Sequence, residues 1–147
     1  MSMTELPQQD QVPLVTVIWQ LFQVSAQTRE RVDVALAELG LTESMAGLLW
    51  LLDAGETATS MRELARRLGC DPSNVTLISD KLQDVGLVER RTHPTDGRAR
   101  VLALTARGRD TWAQLNARLA HTALLATLSA TEQQQLSDLL AKLGATP

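Results

Sequence analysis

With 147 residues, of which 44% are hydrophobic and 21% charged, the chain has enough apolar material to bury the core of one compact domain, which excludes intrinsic disorder. A single cysteine, Cys70, excludes an internal disulfide, and no run approaches the roughly 20 apolar residues that a membrane span requires. The net charge of −3 is unevenly placed: between Arg62 and Arg109 ten basic residues face six acidic ones, a local +4 that leaves −7 on the flanks, and clustered positive charge is what a phosphate-binding face needs.

Met1 to Pro13 is polar, carries two prolines and reads as a loose arm; it lacks the basic flank and apolar core of a signal peptide, so a cytoplasmic location is expected. From Leu14 to Leu39 the pattern is helical. Leu14, Val17, Ile18, Leu21 and Val24 form one apolar patch, Ser25 to Arg31 is polar, and Val32, Leu36 and Leu39 resume the stripe before Gly40 ends it. Thr42 is placed to cap a second helix, Glu43 to Ala54, closed by Gly55. Met45, Leu48, Leu49, Trp50, Leu51 and Leu52 make that helix apolar on most sides, which predicts deep burial. Glu56 to Thr59 links it to the next helix.

The stretch from Ser60 to Gly108 packs two short helices, a tight turn and a charged hairpin into a small span. Ser60 and Glu63 have the spacing of a capping box, Leu64, Ala65 and Leu68 form an apolar stripe, and Gly69 stops the helix. Asp71 as N-cap and Pro72 at the first helical position restart helix almost at once. Val75, Ile78, Leu82 and Val85 then share a core face, while Ser73, Thr76, Leu77 and Asp80, with Asn74 and Lys81 at the edge, form an outward face of the kind that suits a DNA major groove. Gly86 closes this helix. Leu87-Val88 and Val101 to Leu104 are extended, and between them Pro94 and Asp96-Gly97 are turn signals, which predicts a basic β-hairpin with Asp96, Gly97 and Arg98 at its tip.

Thr105 caps a further helix expected to run to about Thr127, with Trp112, Leu115, Leu119 and Ala123 on one face. Ser129 and Glu132 form another capping box, opening a last helix with Leu136, Leu139, Leu140 and Leu143 on a single side. A helical hairpin of this kind leaves an apolar stripe in water, and the simplest cover is a second copy of the chain. The fold class these elements imply is mainly α with a small β-hairpin: a winged helix-turn-helix at 42–104 between dimerisation helices at 14–39 and 105–144, in one domain spanning 1–147.

The ordered set Met61 to Gly69, Ser73-Asn74-Val75-Thr76, Asp80-Lys81-Leu82, Gly86 to Arg91, Asp96 to Arg100 and Leu104-Thr105 with Gly108 resembles the MarR (multiple antibiotic resistance regulator) family of bacterial transcription factors. The resemblance covers nearly the whole chain, the ends by helix arrangement alone. It implies a homodimeric, cytoplasmic regulator, a repressor released by a small aromatic effector, bound to a pseudo-palindromic operator in double-stranded DNA. Carried onto this sequence, Ser73, Asn74, Thr76 and Leu77 face base edges, Lys81 with Arg62 or Arg66 meets phosphates, Arg98 enters the minor groove with Asp96 bracing it or a neighbouring arginine, and Arg90, Arg91 and Arg100 complete the DNA-binding set. Leu77 stands where the family often has arginine, which exchanges guanine readout for contact with a thymine methyl.

Nothing in the sequence points to an enzyme, a metal site or a cofactor: His93 and His121 lack partners at ligand spacing, and there is no phosphate loop or nucleophile elbow. Two other readings compete. One is a winged-helix protein-interaction module that does not bind DNA; the other is a thiol-based redox sensor using Cys70, which sits at the turn before the second short helix, where a small turn residue serves equally. Trp19, Trp50 and Trp112, at helical spacing, read as core rather than as a ligand pocket. The effector-binding residues are left open.

Overall fold

The computed structural model describes residues 12–54, 60–98, 100–120 and 124–144. The elements, in order, are α1 (Leu14–Glu38), α2 (Glu43–Asp53), α3 (Met61–Leu68), α4 (Pro72–Asp84), β1 (Val88–Thr92), β2 (Arg100–Leu104), α5 (Ala106–Ala120) and α6 (Ala130–Gly144). This is the expected mainly helical architecture with one hairpin. Gly55 and the link Glu56 to Thr59 lie outside the described residues.

α2 is the hub, packing against α3, α4, α5 and β2. Its start is set by Thr42, whose Oγ1 accepts from the Met45 amide at 3.2 Å. Leu48 and Leu49 of α2, Leu64 of α3, Val75 and Leu82 of α4, Val88 and Leu104 of the hairpin and Leu115 of α5 meet in one core. Trp50 departs from the expected deep burial. It is 60% exposed, lining the open groove between α2, α3 and α4 instead of the core. Trp19 is likewise a surface residue, stacked at a tilt on Phe22 with ring centroids 5.9 Å apart. Trp112 is half-buried and ties α5 to α2 by donating from Nε1 to Asp53 at 2.7 Å.

Two helix ends also differ from expectation. Val85 is 43% exposed, because α4 ends at Asp84 and the chain turns away. On the other flank of the inner face Ser79 is fully buried and satisfies its hydroxyl by donating to the Val75 carbonyl at 2.6 Å. The helix from Thr105 does not continue to Thr127: residues 124–128 form turns, in which the Leu128 amide donates to Leu125 and the Gln133 side chain donates to the carbonyls of Leu125 and Leu128, at 3.2 and 3.0 Å. Those carbonyls thereby find partners outside a helical ladder.

α1 and α6 are built differently from the rest. Residues 12–31 are all exposed, and α6 contains no buried residue, although both carry large apolar side chains. No single helix among the described residues is long and apolar enough to cross a membrane.

Candidate nucleic-acid interface

α3 begins as expected at Ser60, whose Oγ accepts from the Glu63 amide at 3.2 Å. The Glu63 carboxylate, read as the reciprocal half of a capping box, is instead engaged by Arg66 (2.9 and 2.6 Å) and Arg67 (2.9 Å). These hydrogen bonds, Arg66 first and Arg67 second, hold its carboxyl down at about 2 and raise the Arg66 guanidinium in return. Gly69 then takes a φ of 63°, a left-handed conformation that lets the Cys70 amide return to the Ala65 carbonyl at 3.0 Å. Asp71 makes no side-chain cap. Pro72 at the first helical position and the Asp71 carbonyl, which accepts from Asn74 and Val75, are sufficient to start α4.

On α4 the residues read as facing DNA, Ser73, Asn74, Thr76, Leu77 and Lys81, are all exposed. Leu77 is 54% exposed, an apolar side chain that the fold itself leaves uncovered. Arg62 and Arg66 stand exposed on α3. Asn74, Leu77 and Lys81 form one wall of a groove of about 770 Å³ whose other wall includes Met45, Trp50 and Arg67. Half-buried Cys70 lies in the same groove.

The hairpin pairs in antiparallel register from Val88↔Leu104 to Thr92↔Arg100, with Arg90 opposite Leu102 and Arg91 opposite Val101. Its arginines are engaged within the chain: Arg90 Nη2 reaches Asp80 of α4 at 2.6 Å, Arg91 pairs with Glu89, and Arg100 donates to Thr92 at 3.4 Å. The Asp80–Arg90 pair, exposed on both sides, links the second short helix to the hairpin. At the tip Asp96 accepts from the Arg98 backbone amide at 3.0 Å.

Sequence reasoning did not find three features of this region. The Asp80–Arg90 pair spans two elements, so no local spacing announces it. His93, considered only as a metal ligand, caps the hairpin loop with Nδ1. Thr105 does more than cap α5 by accepting from Gly108 at 2.9 Å; its hydroxyl also donates to the Gly86 carbonyl at 2.7 Å, and its amide donates to Leu87 at 3.1 Å. Gly108 completes this joint: a Cβ there would lie 2.0 Å from the Leu87 carbonyl oxygen, so only glycine lets α5 approach the α4–β1 turn so closely. The glycine three residues after the threonine was the available signal.

Residues 41–99, from the start of α2 to the far side of the hairpin tip, match the MarR family. The HTH-type transcriptional repressor Rv2887 of Mycobacterium tuberculosis is 36% identical over 126 residues, covering 84% of this chain and 90% of that protein. Among solved structures, CouR from Rhodococcus jostii RHA1 bound to p-coumaroyl-CoA superposes with a TM-score of 0.77 at 27% identity, over 89% of this chain and 93% of that one. Rv2887 in complex with DNA gives 0.68 at 34% identity, over 92% and 100%, and Rv2887 in complex with salicylic acid gives 0.65 at 34%, over 91% and 98%. A short α3, a left-handed turn, an exposed polar α4 and a basic hairpin, joined to relatives of this identity and coverage, establish that the chain belongs to the MarR family and is a transcriptional regulator, not an enzyme.

Proposed function

We propose that the protein is a homodimeric repressor that binds a pseudo-palindromic operator, with α4 in the major groove and the hairpin in the minor groove, and that a small aromatic effector releases it. The observation that carries the DNA reading is the juxtaposition, through Asp80–Arg90, of an exposed polar helix face with a hairpin of exposed arginines. Ser73, Asn74 and Thr76 offer hydrogen bonds to base edges, Leu77 suits a thymine methyl, Lys81, Arg62 and Arg66 serve phosphates, and Arg98 serves the minor groove, with Arg90, Arg91 and Arg100 adding charge along the hairpin.

The dimer reading is supported by the surface that one chain leaves uncovered: Ile18, Trp19 and Phe22 on α1, Leu139, Leu140 and Leu143 on α6, and an apolar cavity of about 420 Å³ between α1, α5 and α6. Two copies would hold the α4 helices at a fixed separation, roughly 34 Å for half-sites one helical turn apart. The effector reading draws on the aromatic ligands of CouR and Rv2887 and on the Thr105 joint, which transmits any movement of α5 to α4. Coupling of this kind is reciprocal: operator must weaken effector binding by the factor by which effector weakens operator binding.

Selection of a duplex from random sequence, followed by titration across a salt series, tests the proposal. Specific binding that weakens steeply with salt supports it, and salt-independent or absent binding moves the protein to the class of interaction modules. Calorimetry with salicylate, with and without the selected duplex, tests the effector arm.

A further inference from the structure

The hairpin loop is not held by strand pairing. The ladder ends at Thr92↔Arg100, and the backbone amides beyond it need other acceptors. One side chain supplies them: Nδ1 of His93 lies 3.1 Å from the Thr95 amide and 3.1 Å from the Asp96 amide, with the Thr95 hydroxyl also at 3.1 Å. Asp96 Oδ1 then accepts from the Arg98 amide at 3.0 Å. His93 is half-buried, whereas Thr95 to Arg98 are exposed.

An acceptor at position i that takes the amides of i+2 and i+3 is the geometry of a helix N-cap or an Asx turn, ordinarily supplied by Asn, Asp or Ser. Here an imidazole supplies it, and two amide protons aimed at Nδ1 require that nitrogen to hold a lone pair, which leaves the ring proton on Nε2. Pro94 adds a fixed φ at i+1 and biases His93 towards extended backbone. The relay runs from His93 through Asp96 to Arg98. We infer that His93 is a positioning residue of the wing, which sets the loop that presents Arg98 before DNA arrives, so that its ordering entropy is not charged to binding.

This rests on the reading of Arg98 as the wing's DNA contact, and one set of titrations separates the two. Operator affinity of the full-length protein is measured at constant salt for Arg98→Ala, His93→Ala, His93→Asn, His93→Gln and the double variant His93→Ala/Arg98→Ala, each checked for unchanged thermal unfolding. His93→Ala should weaken binding about three- to tenfold, as loss of one shared acceptor implies. His93→Asn should restore it, because the asparagine Oδ1 occupies nearly the place of Nδ1, and His93→Gln should not, because its acceptor is one bond farther out. The double variant should bind no worse than Arg98→Ala alone. Additive losses, or equal behaviour of the Asn and Gln variants, would overturn the positioning role. So would a nitrogen spectrum of the free protein showing the proton on Nδ1. A silent Arg98→Ala removes the DNA contact itself and the positioning role with it, whereas a weakened Arg98→Ala beside a silent His93→Ala sinks the positioning role alone.

Discussion

α4 and α6 have opposite deficits. α4 makes no side-chain cap at its start yet buries Val75, Ser79 and Leu82 completely, while α6 opens on a full capping box, in which Ser129 accepts from the Glu132 amide at 3.3 Å and Glu132 accepts from the Ser129 amide at 2.7 Å, yet buries nothing. The same contrast divides the molecule. Between α2 and β2 the elements are held by a shared core and tolerate weak local signals; α6 rests on its capping box, the first half of α1 has no side-chain cap, and both carry apolar side chains left exposed among the described residues. An isolated helix is marginal in water, so under the proposed dimer elements of the second kind would gain their stability from the second copy.

The most direct way to break the comparison is to truncate one leucine from each region. Leu49→Ala, at a position with no exposed surface, should destabilise the protein by about 3 kcal/mol in denaturant unfolding. Leu139→Ala should cost little in unfolding of the dilute chain, and a comparable loss there would mean that α6 is covered within one copy. Association is the complementary readout. Ile18→Glu, which places a carboxylate in the uncovered α1 patch, should weaken self-association at least about a hundredfold in sedimentation while leaving the helix content of the head unchanged. A well-folded wild-type monomer at micromolar concentration would remove the partner altogether.

The joint between the two regions is the next target. Gly108→Ala must push α5 away from the Leu87 carbonyl, at a cost of about 2 kcal/mol, and should loosen operator binding more than Thr105→Ser, which keeps both hydroxyl bonds. If Gly108→Ala unfolds normally and binds normally, the joint is not a coupling element. At the far end of the head, Arg98→Ala should weaken operator binding by about 1 kcal/mol with stability and association unchanged. Unchanged affinity at moderate salt would take the wing out of the mechanism.

Legibility in the sequence divides along the same line. Thr42, Ser60, Gly69, Gly86 and Ser129 act within four residues of their partners, and each sits where its spacing predicts. The exposed face of α4 is legible because helical periodicity separates it from Val75 and Leu82. Trp50 is not, because an apolar helix reveals which residues are hydrophobic but not which side its neighbours leave open. Asp80–Arg90 spans ten positions and two elements, and Trp112 to Asp53 spans 59, so neither has a local signature. His93 is visible only as an imidazole; its role needs the loop geometry that places Thr95 and Asp96 around it.

The smallest expected effect is the one that separates local from shared support most finely. Glu63 in α3 and Glu132 in α6 both have carboxyls held below the ordinary carboxylate range: Glu63 at about 2 through Arg66 and Arg67, Glu132 through its bonds from the Ser129 amide and hydroxyl. A depressed folded-state value means that each contribution is complete above the unfolded carboxylate's titration, near pH 4.5, and is lost as the pH falls below it, for Glu63 towards pH 2. The two losses should differ in consequence. α3 has Leu64 and Ala65 in the core, so protonating Glu63 weakens its hold on Arg66 and Arg67 without melting the helix. α6 has no buried residue, so protonating Glu132 should fray its first turn. Amide exchange of residues 61–64 and 130–133 between pH 6 and pH 2, corrected for intrinsic rates, reads both. Glu132→Gln, which keeps an acceptor without the charge, should make the first turn of α6 insensitive to pH over that range. If the start of α3 frays first, burial does not hold the head and the contrast between the two regions is wrong.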